Sequence, residues 1–116
     1  MLYTRHKTIT TTTATSILTV PNGYVAYWNM LFVTNNGGST NGVSVWFENN
    51  SVVQMYIVKE KQVSSKEYLL FDGNATFVLH EGDTIRARLT GTGDMAIACT
   101  IDLLPAPTTF VNFNGA

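Results

Sequence analysis

Few side chains in this 116-residue sequence are of the types that carry out chemistry. The two histidines are His6, near the start of the chain, and His80, which ends a predicted strand beside Glu81. Two imidazoles and one carboxylate can hold a transition metal, but nothing in the sequence fixes the spacing of these three residues. The position of His80 before a turn favours the interpretation that it flanks the turn and binds no metal.

The serine and cysteine residues do not form a recognisable nucleophilic site. Ser64 and Ser65 lie in a predicted exposed connection, with no histidine nearby in sequence to act as a base. Cys99 alternates with apolar neighbours, which is typical of a small core residue rather than a reactive thiol. Because it is the only cysteine, an internal disulfide and a cysteine-based zinc site are impossible. We therefore predict a protein that is not an enzyme and has no cofactor.

Acidic residues occur next to glycines, in segments 72–74 and 81–83 and at Asp94. Calcium requires six to eight oxygen ligands, and none of these segments has the ligand spacing of an EF-hand loop. Asp and Asn beside Gly are explained by turn formation alone. We predict turns here and no metal site.

A set of aromatic residues could form either a core or a binding surface: Tyr24, Tyr27, Trp28, Trp46 and Tyr56. Such side chains pack in cores and pair across strands, but they also stack on sugar rings and anchor protein interfaces. A carbohydrate-binding module, which is one alternative function, requires that one of the two tryptophans be exposed.

In nearly all the segments that must position these residues, apolar residues recur at every second position, which is typical of β-strands. Turn signals separate them at intervals of roughly 8–12 residues, and no amphipathic helix of useful length is found. This pattern predicts an all-β fold, a single antiparallel sandwich or barrel of about eight strands. The predicted strands cover 8–13, 16–20, 24–34, 43–48, 52–59, 67–71, 76–80, 84–90 and 95–104.

Alternation within strands predicts which side chains face the core. Ile85, Ala87 and Leu89 should be buried, as should Met95, Ile97, Cys99 and Ile101 in the last strand. The strands at 24–34 and 52–59 are apolar on both faces, which favours a second covered surface and hence a subunit interface. In strand 24–34, strict alternation places residues on two opposite faces: Val25, Tyr27, Asn29, Leu31 and Val33 on one, Ala26, Trp28, Met30 and Phe32 on the other.

The composition points to a protein that works in an assembly. Charged residues make up 13% of the chain, against roughly 25% in an average soluble domain. A surface with so few charges is tolerable when neighbouring subunits cover much of it. The net charge of −1 gives no reason to expect nucleic-acid binding. No apolar stretch resembles a secretion signal or approaches the ~20 residues that span a membrane.

The two ends differ from the middle of the chain. We predict an N-terminal arm over 1–6, a sandwich domain over 7–104 and a C-terminal arm over 105–116. Segment 105–107, Pro-Ala-Pro, should end strand pairing. The residues after it are uncharged and include Phe110, Val111 and Phe113, so we expect this arm to dock on its own domain or on a neighbour. Truncation after Leu104 should then preserve the fold and weaken assembly.

The order of several segments resembles that of small β-sandwich virion proteins of tailed bacteriophages. The segments are a threonine-rich opening strand, Leu18 to Tyr24 with its Pro-Asn-Gly turn, the strand ending at 31–35, then 79–86 and a final strand over 95–103. The resemblance covers residues 7–104. It implies a jelly-roll-like sandwich, a homo-oligomer that is most often a trimer, and arms that reach onto neighbours.

The resemblance also implies a function. It favours a capsid decoration, or cement, protein that binds between subunits of the major capsid protein at the virion surface. A tail, neck or fibre component is the alternative within the family, and a glycan-binding module is the alternative outside it. The predicted contact residues are Leu2, Tyr3, Trp28, Trp46, Tyr56, Phe110, Val111 and Phe113.

Overall fold

The computed structural model describes residues 1–71 and 77–106, and all the regular structure in these ranges is β-structure. It confirms the predicted all-β sandwich. No helix in the described part of the chain is long and apolar enough to cross a membrane. Nine strands follow in chain order: β1 (Leu2–Ile9), β2 (Thr15–Thr19), β3 (Tyr24–Asn35), β4 (Asn41–Asn49), β5 (Val52–Val63), β6 (Tyr68–Phe71), β7 (Phe77–Leu79), β8 (Thr84–Leu89) and β9 (Met95–Pro105).

The strands form two antiparallel sheets that pack face to face. The first sheet has the order β1-β9-β3-β6, and β7 also pairs with β3, so that β6 and β7 act as one interrupted strand. The second sheet has the order β2-β8-β4-β5. The chain crosses repeatedly between the two sheets, and this order of eight strands is that of a jelly roll built from two Greek keys.

The core lies between the sheets and is formed by alternate residues of the central strands. The core residues predicted in β8 and β9 are confirmed, because all of them are buried. Fully burying a branched aliphatic side chain stabilises the fold by about 1.5–3 kcal/mol, so this layer is the main stabilising feature. It contains Ile9, Val20, Ala26, Trp28, Leu31, Val33, Val43, Val45, Leu79, Ile85, Ala87, Leu89, Met95, Ile97, Cys99 and Ile101.

A bulge in β3 makes the predicted faces of this strand wrong in its second half. The register with β9 shifts between Trp28 and Met30, so that Asn29 is the extra residue. An inserted residue moves every later side chain to the opposite face. Leu31 and Val33 therefore share the core face with Trp28, and the predicted grouping holds only up to the bulge.

The first strand begins earlier than predicted. The residues predicted as an N-terminal arm lie in β1 from Leu2 onward, and β1 pairs with β9 up to Ile9. Polar residues at 4–8 hid this strand, although an edge strand can tolerate them. The threonines that follow bind a loop instead, because the carbonyls of Thr10 and Thr11 accept the N–H groups of Gly93 and Leu89.

Two other strands extend further than predicted. The last pairing of β9 places Pro105 opposite Tyr24, and the N–H of Ala106 donates to the Gly23 carbonyl at 2.8 Å. The predicted boundary of the C-terminal arm at 105 is therefore too early, since proline is tolerated where a ladder ends. Strand β5 continues to Val63, because a bulge at Glu60, with φ of 53°, carries the pairing with β4 into segment 60–66, which was predicted to be an exposed connection.

A two-residue loop joins β4 and β5. Both of its residues, Asn50 and Ser51, have positive φ, at 52° and 65°, as a type I′ hairpin turn requires. A Cβ in this conformation costs roughly 1–2 kcal/mol, and asparagine offsets part of this cost through local hydrogen bonds of its side chain better than serine does.

Replacing Ser51 with glycine is expected to stabilise the protein by about 0.5 kcal/mol. Glycine removes the strain at positive φ, and the greater freedom of the unfolded chain offsets part of that gain. Urea unfolding monitored by circular dichroism measures the difference. Ser39→Gly is the control, because Ser39 is exposed in a loop and has no positive φ. If the control gains as much stability as Ser51→Gly, the explanation by turn type is wrong.

Candidate interaction surface

The two tryptophans predicted as contact residues are buried within the subunit. Trp28 is 3% exposed and Trp46 is 5% exposed. The Trp28 indole N–H donates to the Met30 carbonyl at 2.9 Å, and its ring packs against Phe77. Neither indole presents a face to solvent, so the prediction that they contact a partner is wrong, and neither can stack on a sugar.

Trp46 is buried in an unusual place, on the outer face of the second sheet. Its indole N–H donates to Glu48 Oε1 at 2.9 Å, and its ring lies 5.4 Å from that of Tyr56. Arg86 on the neighbouring strand approaches Glu48 Oε2 at 3.5 Å and donates to the Ala14 carbonyl at 3.2 Å. Cross-strand contacts of this kind shield Trp46 and link β8, β4 and β5, and Arg86 also ties them to the residue before β2.

Tyr56 is half-buried by this cluster, since the Nζ atom of Lys59 lies 5.0 Å from the centre of its ring. The predicted contact residue Tyr56 is thus engaged on both sides within the subunit. Cation–π contacts at exposed positions contribute about 0.5–1 kcal/mol.

Burial explains why Cys99 is not a functional thiol. Its side chain is fully buried in β9. Burial raises the pKa of the Cys99 thiol to about 12, while a side-chain hydrogen bond with Trp28 acts in the opposite direction. Only the thiolate is a good nucleophile, so this group is inert in the folded protein.

The thiol of Cys99 is expected to react with a chromogenic disulfide reagent at pH 8 only after unfolding in urea. Because the pKa rises from 9.0 to about 12 on folding, the folded state holds the proton more tightly. Stability is then retained below pH 9 and lost as the pH rises above it, by about 1.4 kcal/mol at pH 10. Cys99→Ala should lack this part of the pH dependence. Rapid labelling of the native protein would contradict the prediction.

The two histidines lie in different parts of the fold. His6 is exposed on β1, and the backbone N–H of His80 donates to Asp83 Oδ2 at 2.9 Å, as expected for a residue that flanks a turn. Within 1–71 and 77–106, no group of three or more His, Cys, Asp or Glu side chains could hold a metal ion. The predicted turn at 72–74 lies outside the described residues.

The outer face of the first sheet is the surface that stands out. We call it the apolar face, and it comprises the residues of β1, β9, β3, β6 and β7 that point away from the second sheet. Its members are Leu2, Thr4, His6, Thr8, Val25, Tyr27, Met30, Phe32, Thr34, Tyr68, Leu70, Val78, Ala96, Ala98, Thr100, Asp102 and Leu104.

Asp102 is the only Asp, Glu, Lys or Arg among these members, and its Oδ1 atom pairs with the amino group of Met1 at 3.0 Å. The outer face of the second sheet is different, since it carries the charged side chains of Glu48, Arg86 and Arg88. The few charges of this sequence are therefore distributed unequally between the two faces.

Large apolar groups of the apolar face remain accessible to solvent. Leu70 is 44% exposed and Val78 is 45% exposed, and Leu2 and Tyr68 are also exposed. The rings of Phe32 and Tyr68 stack with their centres 5.6 Å apart, which holds both side chains in place. Contiguous exposed apolar groups on a soluble protein mark sites of contact with other molecules.

The predicted contact residues are therefore only partly brought together. Leu2 belongs to the apolar face, Tyr3 lies beside it on the other side of β1, and Phe110, Val111 and Phe113 lie outside the described residues. Leu70 and Val78 are not among the predicted contact residues. The alternation in 68–71 could have pointed to Leu70, but the outward face of β3 required knowledge of the bulge.

Comparisons with known proteins agree on the fold. No protein-family model matches the chain, and no curated protein matches it. A chain in the acid-stable capsid structure of Helicobacter pylori bacteriophage KHP30 is similar to it, with a TM-score of 0.61 and 13% identity over 90% of this chain and 89% of that chain. A subunit of Bacillus endospore appendages, described as disulfide-linked pili, is similar with a TM-score of 0.51 and 15% identity, over 91% and 89%. At these identities the likeness extends to the jelly-roll fold.

Proposed function

We propose that this protein is a non-enzymatic structural protein of a bacteriophage virion, and more specifically a decoration protein on the capsid surface. The observation that carries the proposal is a jelly-roll domain, similar over nine-tenths of its length to a chain of a phage capsid structure, with one accessible and nearly uncharged face. A decoration protein acts by binding repeatedly over a lattice, where many contacts of modest area together give mechanical stability.

The chemistry of the described residues supports a role in contact rather than catalysis. Cys99 is buried, and the two histidines are far apart in the fold, with His6 on β1 and His80 after β7. The burial of Cys99 also argues against a pilus subunit joined by disulfides, because a folded subunit cannot offer this thiol to a neighbour.

A tail or neck component is the second candidate, because the same fold and the same apolar face would serve a ring of subunits equally well. A carbohydrate-binding module is less well supported, since Trp28 and Trp46 are both buried. Glycan binding would have to use another, exposed aromatic ring instead, such as that of Tyr68 on the apolar face.

The number of copies of this chain in purified virions tests the proposal. Quantitative mass spectrometry of virions from the phage that encodes it should find the chain in numbers comparable to the major capsid protein. Virions made without it should assemble but release DNA at a lower temperature. A few copies or a few dozen copies per virion would instead indicate a tail or neck component. Absence from the virion would refute the structural role.

The role of the C-terminal arm can be tested by removing only the residues that follow Ala106. Removal of residues 107–116 leaves the last pairs of β9 and the hydrogen bond of Ala106 in place. We expect the truncated protein to unfold at the same urea concentration as the intact chain and to bind virions more weakly. Phe110→Ala with Phe113→Ala is the matched full-length variant. A truncated chain that does not fold would contradict the assignment of an arm.

A further inference from the structure

The edges of both sheets are built in ways that oppose the addition of another strand, and the edge formed by β6 and β7 consists of strands of only four and three residues. Strand β1 carries Arg5 and Lys7 on its inward side, opposite the buried Cys99 and Ile97. Charges that point inward on an edge strand make pairing with a second sheet costly, because the new neighbour would have to bury them.

The two edge strands of the second sheet, β5 and β2, are irregular, and this irregularity also opposes the addition of another strand. The pairing of β5 with β4 has three register shifts, and Glu60 sits at positive φ with its N–H bonded to Ser44 Oγ at 2.9 Å. Strand β2 has five residues and its own register shift, between Ser16 and Leu18. Bulges and short edge strands discourage edge-to-edge association. Contact through a face is thus favoured over contact through an edge.

The apolar face has the size of a subunit interface. Four strands at about 4.8 Å spacing and about 25–40 Å of strand length give about 480–770 Å² in projection. A stable interface buries about 800 Å² on each partner. The projected area of the apolar face is therefore of the same order as the area that each partner buries in a specific interface.

From this combination we infer that the apolar face packs against the same face of a second copy of this chain, so that two sandwiches associate through a two-fold axis. Sheets pack face to face with their inner side chains interdigitated, and such a contact needs an opposing surface that carries few charges and is of equal extent. An identical face meets each requirement.

Charge also favours a second copy. Charged groups opposite each other are the main obstacle to self-association, since a two-fold axis brings like residues together. On the apolar face the single carboxylate, Asp102, lies towards one end and is already paired with the Met1 amino group. The outer face of the second sheet lacks this property, because it exposes parts of Arg86 and Arg88.

The inference rests on the fold and the surface and not on the proposed virion role, so the two can fail separately. A dimer that is absent from virions would refute only the virion role. A monomer that is present in virions would refute only the dimer.

The test compares two charge substitutions of matched exposure. The double variant Leu70→Glu with Val78→Glu places two carboxylates on the apolar face, at positions that are 44% and 45% exposed. The control is Met55→Glu, at a position 49% exposed on β5 of the second sheet. Light scattering measures the molar mass of each protein over a hundredfold range of concentration, and circular dichroism verifies that each is folded.

The intact chain and the control are expected to have the mass of two chains of 12.7 kDa, about 25 kDa. The double variant is expected to be folded and to have the mass of one chain, with at least a tenfold weaker association. If the double variant is unfolded, Ala98→Glu at the centre of the same face replaces it.

Three outcomes would overturn the inference. The first is an intact chain that remains a monomer at the highest concentration. If Leu70→Glu then also reduced the incorporation of this monomer into virions, the apolar face would be a binding site for another capsid protein. The second is a trimer, because two copies that pack through the same face cover that face in both and leave none for a third copy. A dimer unaffected by the double variant would place the contact elsewhere.

Discussion

Replacing Asn35 with alanine is expected to lower the free energy of unfolding by about 3 kcal/mol. The Asn35 side chain is fully buried at the end of β3. Its amide group donates to the carbonyls of Ser39 and Val63 at 3.0 and 2.9 Å, and its Oδ1 atom accepts the N–H of Gly37 at 2.9 Å. Alanine would leave the buried Val63 carbonyl without this partner and would create a small cavity, while the more exposed groups of Ser39 and Gly37 could bind water. An unpaired buried group costs about 1–3 kcal/mol.

The effect is expected to be large because the Asn35 side chain connects distant segments, namely the loop after β3 at Ser39 and the end of β5 at Val63. The backbone of Asn35 adds contacts that the alanine variant keeps. The backbone N–H of Asn35 donates to the Glu67 carbonyl at 3.0 Å, and its carbonyl accepts the N–H of Lys66 at 2.9 Å. One residue thus fixes the loop after β3 to the connection between β5 and β6. Urea unfolding measures the loss. The matched control is Asn36→Ala, at the adjacent exposed position, which should change stability by less than about 0.5 kcal/mol. Equal losses for the two variants would show that the side-chain hydrogen bonds are not the cause.

Replacing Glu48 with alanine is the second substitution with a large expected effect, about 2–3 kcal/mol. Glu48 accepts the indole N–H of Trp46 and pairs with Arg86, and it is itself buried. Without the carboxylate, the Trp46 N–H and the Arg86 guanidinium lose their partner on the sheet surface. The Nε atom of Arg86 already lacks a partner among the described residues, so this arginine depends on its remaining contacts.

Glu48→Gln separates the two contributions. Its side-chain oxygen can still accept the indole N–H, while the attraction to Arg86 is lost. We expect a loss of about 1 kcal/mol for Gln, because the ion pair is partly open to solvent. The fluorescence of Trp46 in a Trp28→Phe background gives a second readout, since only Glu48→Ala should increase its quenching by acrylamide. If both variants are equally destabilised, the indole hydrogen bond contributes little.

The strands were largely predictable, because alternation over β8 and β9 reflects one buried face. Alternation failed where an extra residue entered β3, since a bulge leaves no mark in the pattern of residue types around Asn29. It also failed at β1, where the inward positions Arg5 and Lys7 are charged. An edge strand of this kind does not follow the alternation that a buried strand requires.

The candidate surface was less predictable than the fold. The low charge content of the sequence indicated that part of the surface is covered. The position of that surface depends on how β6, β3 and β9 pair, because only this pairing makes Leu70, Phe32 and Ala98 neighbours. The burial of Trp46 was equally hidden. Its cover comes from Tyr56 and Arg86 on the two adjacent strands, and no local pattern relates these residues.

The place of β9 in the first sheet has a consequence for the synthesis of the protein. Strand β9 lies between β1 and β3, so that β1, from Leu2, pairs at Asp102 with the last strand of the described residues. Contacts between residues about a hundred positions apart give a high contact order and slow folding. On the ribosome, β1 therefore has no partner strand, and β3 can pair only with β6 and β7, until β9 emerges. The first sheet closes only after translation has passed the whole domain, and until then the nascent chain is the form most in need of a chaperone.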